Sequence, residues 1–116
     1  MKITETIDGK IAVLQLKGKM MGGPDMQELN DHISELLNDG VSNVVADLSK
    51  VKWLNSSGLG ALMGALTSLR NEGGDMKLAH ASDKIQSLLM ITKLMSIFDT
   101  HETVESAIEA FKPASE

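Results

Sequence analysis

Three short apolar runs, at 11–16 (IAVLQL), 44–48 (VVADL) and 76–79 (MKLA), are separated by longer stretches whose apolar residues recur at helical spacing. Runs of this length are strand-sized, and the stretches between them are long enough for crossover helices. Strands alternating with helices bury their apolar faces best in a parallel sheet covered by helices. The chain opens differently. Residues 3–7 alternate apolar and polar, and Asp8-Gly9 then offers a tight turn into the run at 11–16. The expectation is α/β: one mixed sheet of four to five strands, with an antiparallel N-terminal hairpin, then parallel strands, and about four helices.

Local signals place the helices. Gly22-Gly23-Pro24-Asp25 breaks the strand pattern, Pro24 suits a first helical position, and Met26, Leu29, Ile33, Leu36 and Leu37 share one face. Gly40 is the expected left-handed stop. A loop then follows residue 48. A second helix carries Leu59, Leu62, Met63, Leu66 and Leu69 and ends at Gly73-Gly74. Ser82 is a candidate cap for a third helix bearing Ile85, Leu88, Leu89 and Ile91. Ile97-Phe98 reads as a last short strand. Thr100 reads as the cap of a final helix that buries Val104, Ala107, Ile108 and Phe111. The expected organisation is a single domain over 1–112 and a frayed tail over 113–116.

Composition removes several function classes. The net charge is −5, with 16 acidic against 11 basic residues and no basic stripe, so nucleic acid phosphates are repelled and no direct nucleic-acid partner is expected. Aromatic residues, at 3%, are too few for a base-stacking platform. Without cysteine, disulfides and thiolate metal sites are excluded. No apolar signal segment opens the sequence and no apolar run approaches the length of a bilayer span, so the expectation is a cytoplasmic protein without membrane insertion. Eight methionines serve either as adaptable core filling or as a contact surface.

The informative stretch is 47–62, DLSKVKWLNSSGLGAL, between a buried strand and an amphipathic helix. In an open α/β sheet, sites gather at the carboxyl edge of the strands. Asn55, Ser56, Ser57 and Gly58 precede the helix with little bulk, and a helix N-terminus offers free N–H groups and a dipole that favour an anion. Two readings stay open on spacing alone: ordinary capping, or a hydroxyl that is modified or binds an anion. The Asn55-Ser56-Ser57 match to a glycosylation acceptor is accidental in a chain without a secretory signal. Gly60, Ala61, Gly64 and Ala65 either pack closely on the sheet or let a partner approach. Asp25, Glu28 and Asp31 form a solvated helix face or part of a docking surface.

Asp47, Ser49, Val51, Leu54, Asn55, Ser56, Ser57, Gly58, Leu59 and Gly60 resemble the signature of the STAS family, the domain shared by sulfate transporters and anti-sigma factor antagonists. The resemblance extends over nearly the whole chain. It implies the α/β fold above and a partner switch acting through phosphorylation of Ser56, with Ser57 the second choice. It further implies a partner-binding segment of Asn55, Ser56, Ser57, Gly58, Leu59 and Gly60. The implied partners are an anti-sigma factor that is also a serine kinase, and a metal-dependent serine phosphatase. The alternative function is a non-switching scaffold subunit of a transporter or stress-sensing complex. A monomer without cofactors is expected. Three positions depart from the best-known antagonists of the family: Asn55 stands for an aspartate, although the signature admits either residue, Met21 for an acidic residue near the phosphosite, and Lys93 for a glycine in a Thr-Gly-Leu turn.

No catalytic set accompanies these residues, and the expectation is a non-enzyme. His32, His80 and His101 lie on separate segments without metal-ligand spacing, and neither a Walker loop, a dinucleotide fingerprint nor a Gly-x-Ser-x-Gly elbow is present.

Overall fold

The computed structural model describes residues 2–112. The tail over 113–116 lies outside the described residues. The chain runs β1 (Lys2–Asp8), β2 (Ile11–Met20), α1 (Pro24–Asn38), β3 (Asn43–Leu54), α2 (Ser56–Asn71), β4 (Asp75–Ala79), α3 (Asp83–Ile91), β5 (Asp99–His101) and α4 (Val104–Phe111). The five strands form one sheet in chain order, antiparallel between β1 and β2 and parallel thereafter. The hairpin turn is Gly9-Lys10, one residue later than Asp8-Gly9, because Asp8 still pairs with Ile11. Gly9 sits at φ 63, as the first central residue of a II′ turn requires.

Sequential strand order fixes the layers. Right-handed crossovers that always step in one direction deposit their helices on one face. Accordingly α1, α2 and α3 pack with Leu14, Leu16, Val44, Ala46, Leu48 and Leu78 in the main core. The other face carries a smaller cluster of Ile11, Val45, Ala79 and Ala107, covered by α4. Lys77 also faces that side. It is 9% exposed, donates to the Asp99 carboxylate at 2.7 Å and lies 4.7 Å from the Phe111 ring centre.

Three helices end in the same way. Each closes with a residue of positive φ (Gly40, Gly73, Lys93) whose follower bonds five residues back: Val41 to Leu36, Gly74 to Leu69, and Leu94 to Leu89. This is the Schellman arrangement, in which glycine is favoured because it lacks the Cβ penalty. Lys93 takes it at φ 62 without that freedom.

Four further expectations need correction. The loop expected after residue 48 is strand: β3 continues to Leu54 beside the end of β2. The last strand is Asp99–His101, since Ile97-Phe98 belongs to the preceding turn and Phe98 turns into the core. Thr100 pairs within β5, and the cap of α4 is Thr103, which accepts from the Ser106 N–H at 3.0 Å. Ile91 points outward from the end of α3 and is 79% exposed.

Candidate functional site

β3 delivers the chain to the carboxyl edge of the sheet and α2 begins after one residue, Asn55. Two register shifts against β2, after Gln15 and after Gly18, give β3 one extra residue each. Asp47 stabilises the first: its buried carboxylate accepts from the Ser49 N–H at 3.0 Å and meets the Gln15 amide at 3.4 Å. Bulges re-aim the residues beyond them, so Val51 and Leu54 turn inward while Lys52 and Trp53 stay outside.

Asn55 caps α2. Its Oδ1 accepts from the Gly58 N–H at 2.8 Å, and its backbone N–H donates to the Met20 carbonyl at 3.3 Å. Its Nδ2 reaches the Met21 carbonyl at 3.4 Å, and the Met21 N–H in turn donates to Asp25 at 3.3 Å. The ends of β2 and β3 and the starts of α1 and α2 are thereby tied together. Gly58 is a close-approach residue: a Cβ there would sit 2.1 Å from the Met20 carbonyl oxygen. Gly22 is equally constrained, with Ser57 Cβ 2.6 Å from where its own Cβ would be.

Ser56 and Ser57 occupy the first two helical positions and both are exposed. The first intrahelical donor to Asn55 is Leu59, so the amides of Ser56 and Ser57 have no acceptor within the helix. Leu59 is buried beneath them, whereas Gly60 is exposed with nothing within 4 Å of a Cβ. Of the small-residue stretch, Ala61 and Ala65 pack into the core, and Gly60 and Gly64 face outward.

A groove of about 470 Å³ adjoins this mouth, between the end of β3 and α3. Trp53, Leu54, Ile85, Leu88 and Ile91 supply its apolar surface, and Ser56 lies on its edge. Lys84 from α3 stands 5.2 Å from the Trp53 ring centre, a cation–π contact. Sequence reasoning missed this groove, since its two walls lie about thirty residues apart. The outward Lys52-Trp53 pair was the one local sign of it.

The histidines form no such site. His32 lies 3.6 Å from Glu5, and His101 lies 3.0 Å from Asp99. His80 and His101 share a second, polar cavity, but no group of three or more metal-binding side chains occurs among the described residues. Among the described residues no helix is long and apolar enough to cross a membrane. Asp99 is held below the usual carboxylate range, chiefly by its hydrogen bond from Lys77 and further by His101, against a smaller opposing effect of burial.

A five-stranded sheet with an antiparallel first strand, four helices and a glycine-tightened mouth at α2 defines a small α/β module of the STAS kind. The chain belongs to the STAS domain family, whose model matches residues 2–107. BtrV of Bordetella bronchiseptica is 27% identical over 115 residues, covering 98% of this chain and 97% of its own. The anti-sigma-B factor antagonist of Staphylococcus aureus is 28% identical over 78 residues, 67% of this chain and 72% of its own. The fold matches SpoIIAA in its unphosphorylated form with a TM-score of 0.72 at 18% identity, over 94% of this chain and 96% of that one. The phosphorylated form of that Bacillus cell fate determinant matches at 0.73 and 18%, over 96% and 100%.

Proposed function

We propose that this protein is an anti-sigma factor antagonist in a partner switch, controlled by phosphorylation of Ser56. Unphosphorylated, it binds an anti-sigma factor that is a serine kinase and so releases the sigma factor. The kinase transfers a phosphoryl group from ATP to the Ser56 hydroxyl, and a metal-dependent serine phosphatase removes it. Ser57 is the second candidate. Asn55, Ser57, Gly58, Leu59 and Gly60 complete the docking segment, and the protein works as a cytoplasmic monomer.

The observation that carries this reading is an exposed Ser56 at the mouth of α2, in a STAS chain that is similar in sequence to anti-sigma factor antagonists. A phosphoserine carries about −1.5 to −2 charge. On an exposed helix N-terminus the dipole stabilises such a charge by roughly 0.3–1 kcal/mol. In a close interface the same dianion loses its water or meets carboxylates, and about 4 kcal/mol there corresponds to a thousandfold loss of affinity. Gly60 fits the same picture, since its missing side chain serves no contact within the fold.

The test is incubation with ATP and an anti-sigma factor serine kinase from the same organism, followed by fragment mass spectrometry and calorimetric titration of both forms. Phosphate on Ser56 and a thousandfold weaker Kd are expected. Equal affinity of the two forms for the kinase refutes the switch. A non-switching scaffold is the second reading, favoured by the uncharged Asn55 and Met21 where family antagonists carry acidic residues. Stable co-purification with a transporter, and no phosphorylated form, would establish it instead.

A further inference from the structure

The groove beside Ser56 has a charge opposite to that of the chain. The protein has 16 acidic and 11 basic residues, yet the groove is lined by two lysines, Lys52 and Lys84, and by no carboxylate. Its floor is apolar, and Trp53 and Ile91 stand 44% and 79% exposed along it. An exposed Trp and an exposed Ile that line one groove with two lysines match a segment presenting an apolar side chain flanked by carboxylates.

We propose that this groove anchors an acidic amphipathic segment of the partner kinase. A phosphate on Ser56 competes with that segment's carboxylates for Lys52 and Lys84. The proposal rests on the switch reading and adds to it a location and a chemistry. An apolar side chain of the partner seats against Trp53 and Ile91, and its carboxylates pair with the two ammonium groups. Ser56 lines the same groove, so a phosphate there supplies the lysines with an internal counter-charge. Release of the partner then follows from substitution at shared cations, in addition to repulsion at the mouth of α2.

Trp53 is the sole tryptophan, so 5-fluorotryptophan gives a single 19F resonance reporting on the groove. Titration with an anti-sigma factor serine kinase from the same organism is expected to shift that resonance, and to fail to do so once Ser56 is phosphorylated. Lys84→Glu is expected to weaken kinase binding at least tenfold and to flatten its salt dependence, and Ile91→Ser to weaken it severalfold. Both side chains are exposed, and circular dichroism checks that each variant is folded. If the kinase binds in a Ser56-phosphate-sensitive way while the resonance stays still and both variants bind like wild type, the groove assignment is overturned and the switch stands. If binding is absent or indifferent to phosphate, the switch reading falls and takes this proposal with it. A resonance that moves with protein concentration alone assigns the groove to a second copy. One that moves with decanoate but not with the kinase assigns it to a small amphiphile. Either result overturns the proposal.

Discussion

Gly58 and Gly60 lie two residues apart on α2, and the same substitution at each is expected to act with opposite sign. At Gly58 an added Cβ would meet the Met20 carbonyl oxygen at 2.1 Å, its carbon at 2.8 Å and Met20 Cβ at 2.9 Å. Backbone cannot rotate away as a side chain can, so α2 must lift off the end of β2. Overpacking of this kind costs roughly 1–3 kcal/mol, and backbone contact puts Gly58→Ala near the upper figure. Replacing a helical glycine by alanine returns about 1 kcal/mol, leaving a net loss of about 2 kcal/mol. At about 2.1 cal/mol/K of unfolding entropy per residue, 1 kcal/mol corresponds to about 4 °C for a chain of this length. Gly58→Ala should therefore melt about 8 °C below wild type. At Gly60 nothing lies within 4 Å of the added Cβ, so the propensity gain stands alone and Gly60→Ala should melt about 4 °C above wild type. Thermal unfolding followed by far-ultraviolet circular dichroism reads both. A Gly58→Ala midpoint at or above wild type, or a Gly60→Ala midpoint below it, refutes the assignment of Gly58 to the fold and of Gly60 to the surface.

Asn55→Ala removes the cap on the Gly58 N–H and should cost about 1 kcal/mol. Asn55→Asp keeps that acceptor and adds charge at the favourable helix end while losing the long bond to Met21, so its urea midpoint should match wild type or exceed it slightly. Lys93→Gly relieves a left-handed residue at φ 62 and should stabilise by about 1 kcal/mol, measured as a higher urea midpoint. The lowered pKa of Asp99 makes its ion pair with Lys77 a source of stability that is complete above the unfolded-state pKa, about 3.9, and is lost as pH falls through the lower folded value. Urea midpoints between pH 2 and 5 should show this acid loss, and Asp99→Asn should flatten it.

The parts of the fold legible in the sequence are those where one physical signal acts alone. The runs at 11–16, 44–48 and 76–79 each fall within a strand, because a strand buried on both faces needs continuous apolar sequence. Ser82, Gly40 and Gly73 mark helix ends through their own backbone chemistry. The far half of β3 was illegible because two bulges break the period-2 alternation that identifies a strand. β5 was displaced because its residues, Asp-Thr-His, are polar, while the apolar Ile97-Phe98 before it fills the core from a turn. The signature residues around Ser56 are contiguous, so sequence alone delimits that segment. The groove beside it brings Trp53 against Lys84, and no local pattern encodes a contact of that separation.

The tie between the two helix mouths bears on how much a phosphate can disturb the domain itself. Asn55 bonds to Met20 and Met21, Met21 to Asp25, and Gly58 rests against Met20, so the start of α2 is held from β2 and from α1 at once. None of these bonds uses the hydroxyl of Ser56. A phosphoryl group there meets solvent, the amides at the start of α2, the positive end of the helix dipole and, on the groove proposal above, Lys52 and Lys84. The gain from the dipole, roughly 0.3–1 kcal/mol, corresponds to a rise of about 1–4 °C by the same entropy scale, and added salt should shrink it. Differential scanning calorimetry of the purified phosphorylated and unphosphorylated forms at low and high salt measures this directly. Should the phosphorylated form melt well below the other, the dianion would be breaking the fold, and loss of partner binding could no longer be attributed to the interface.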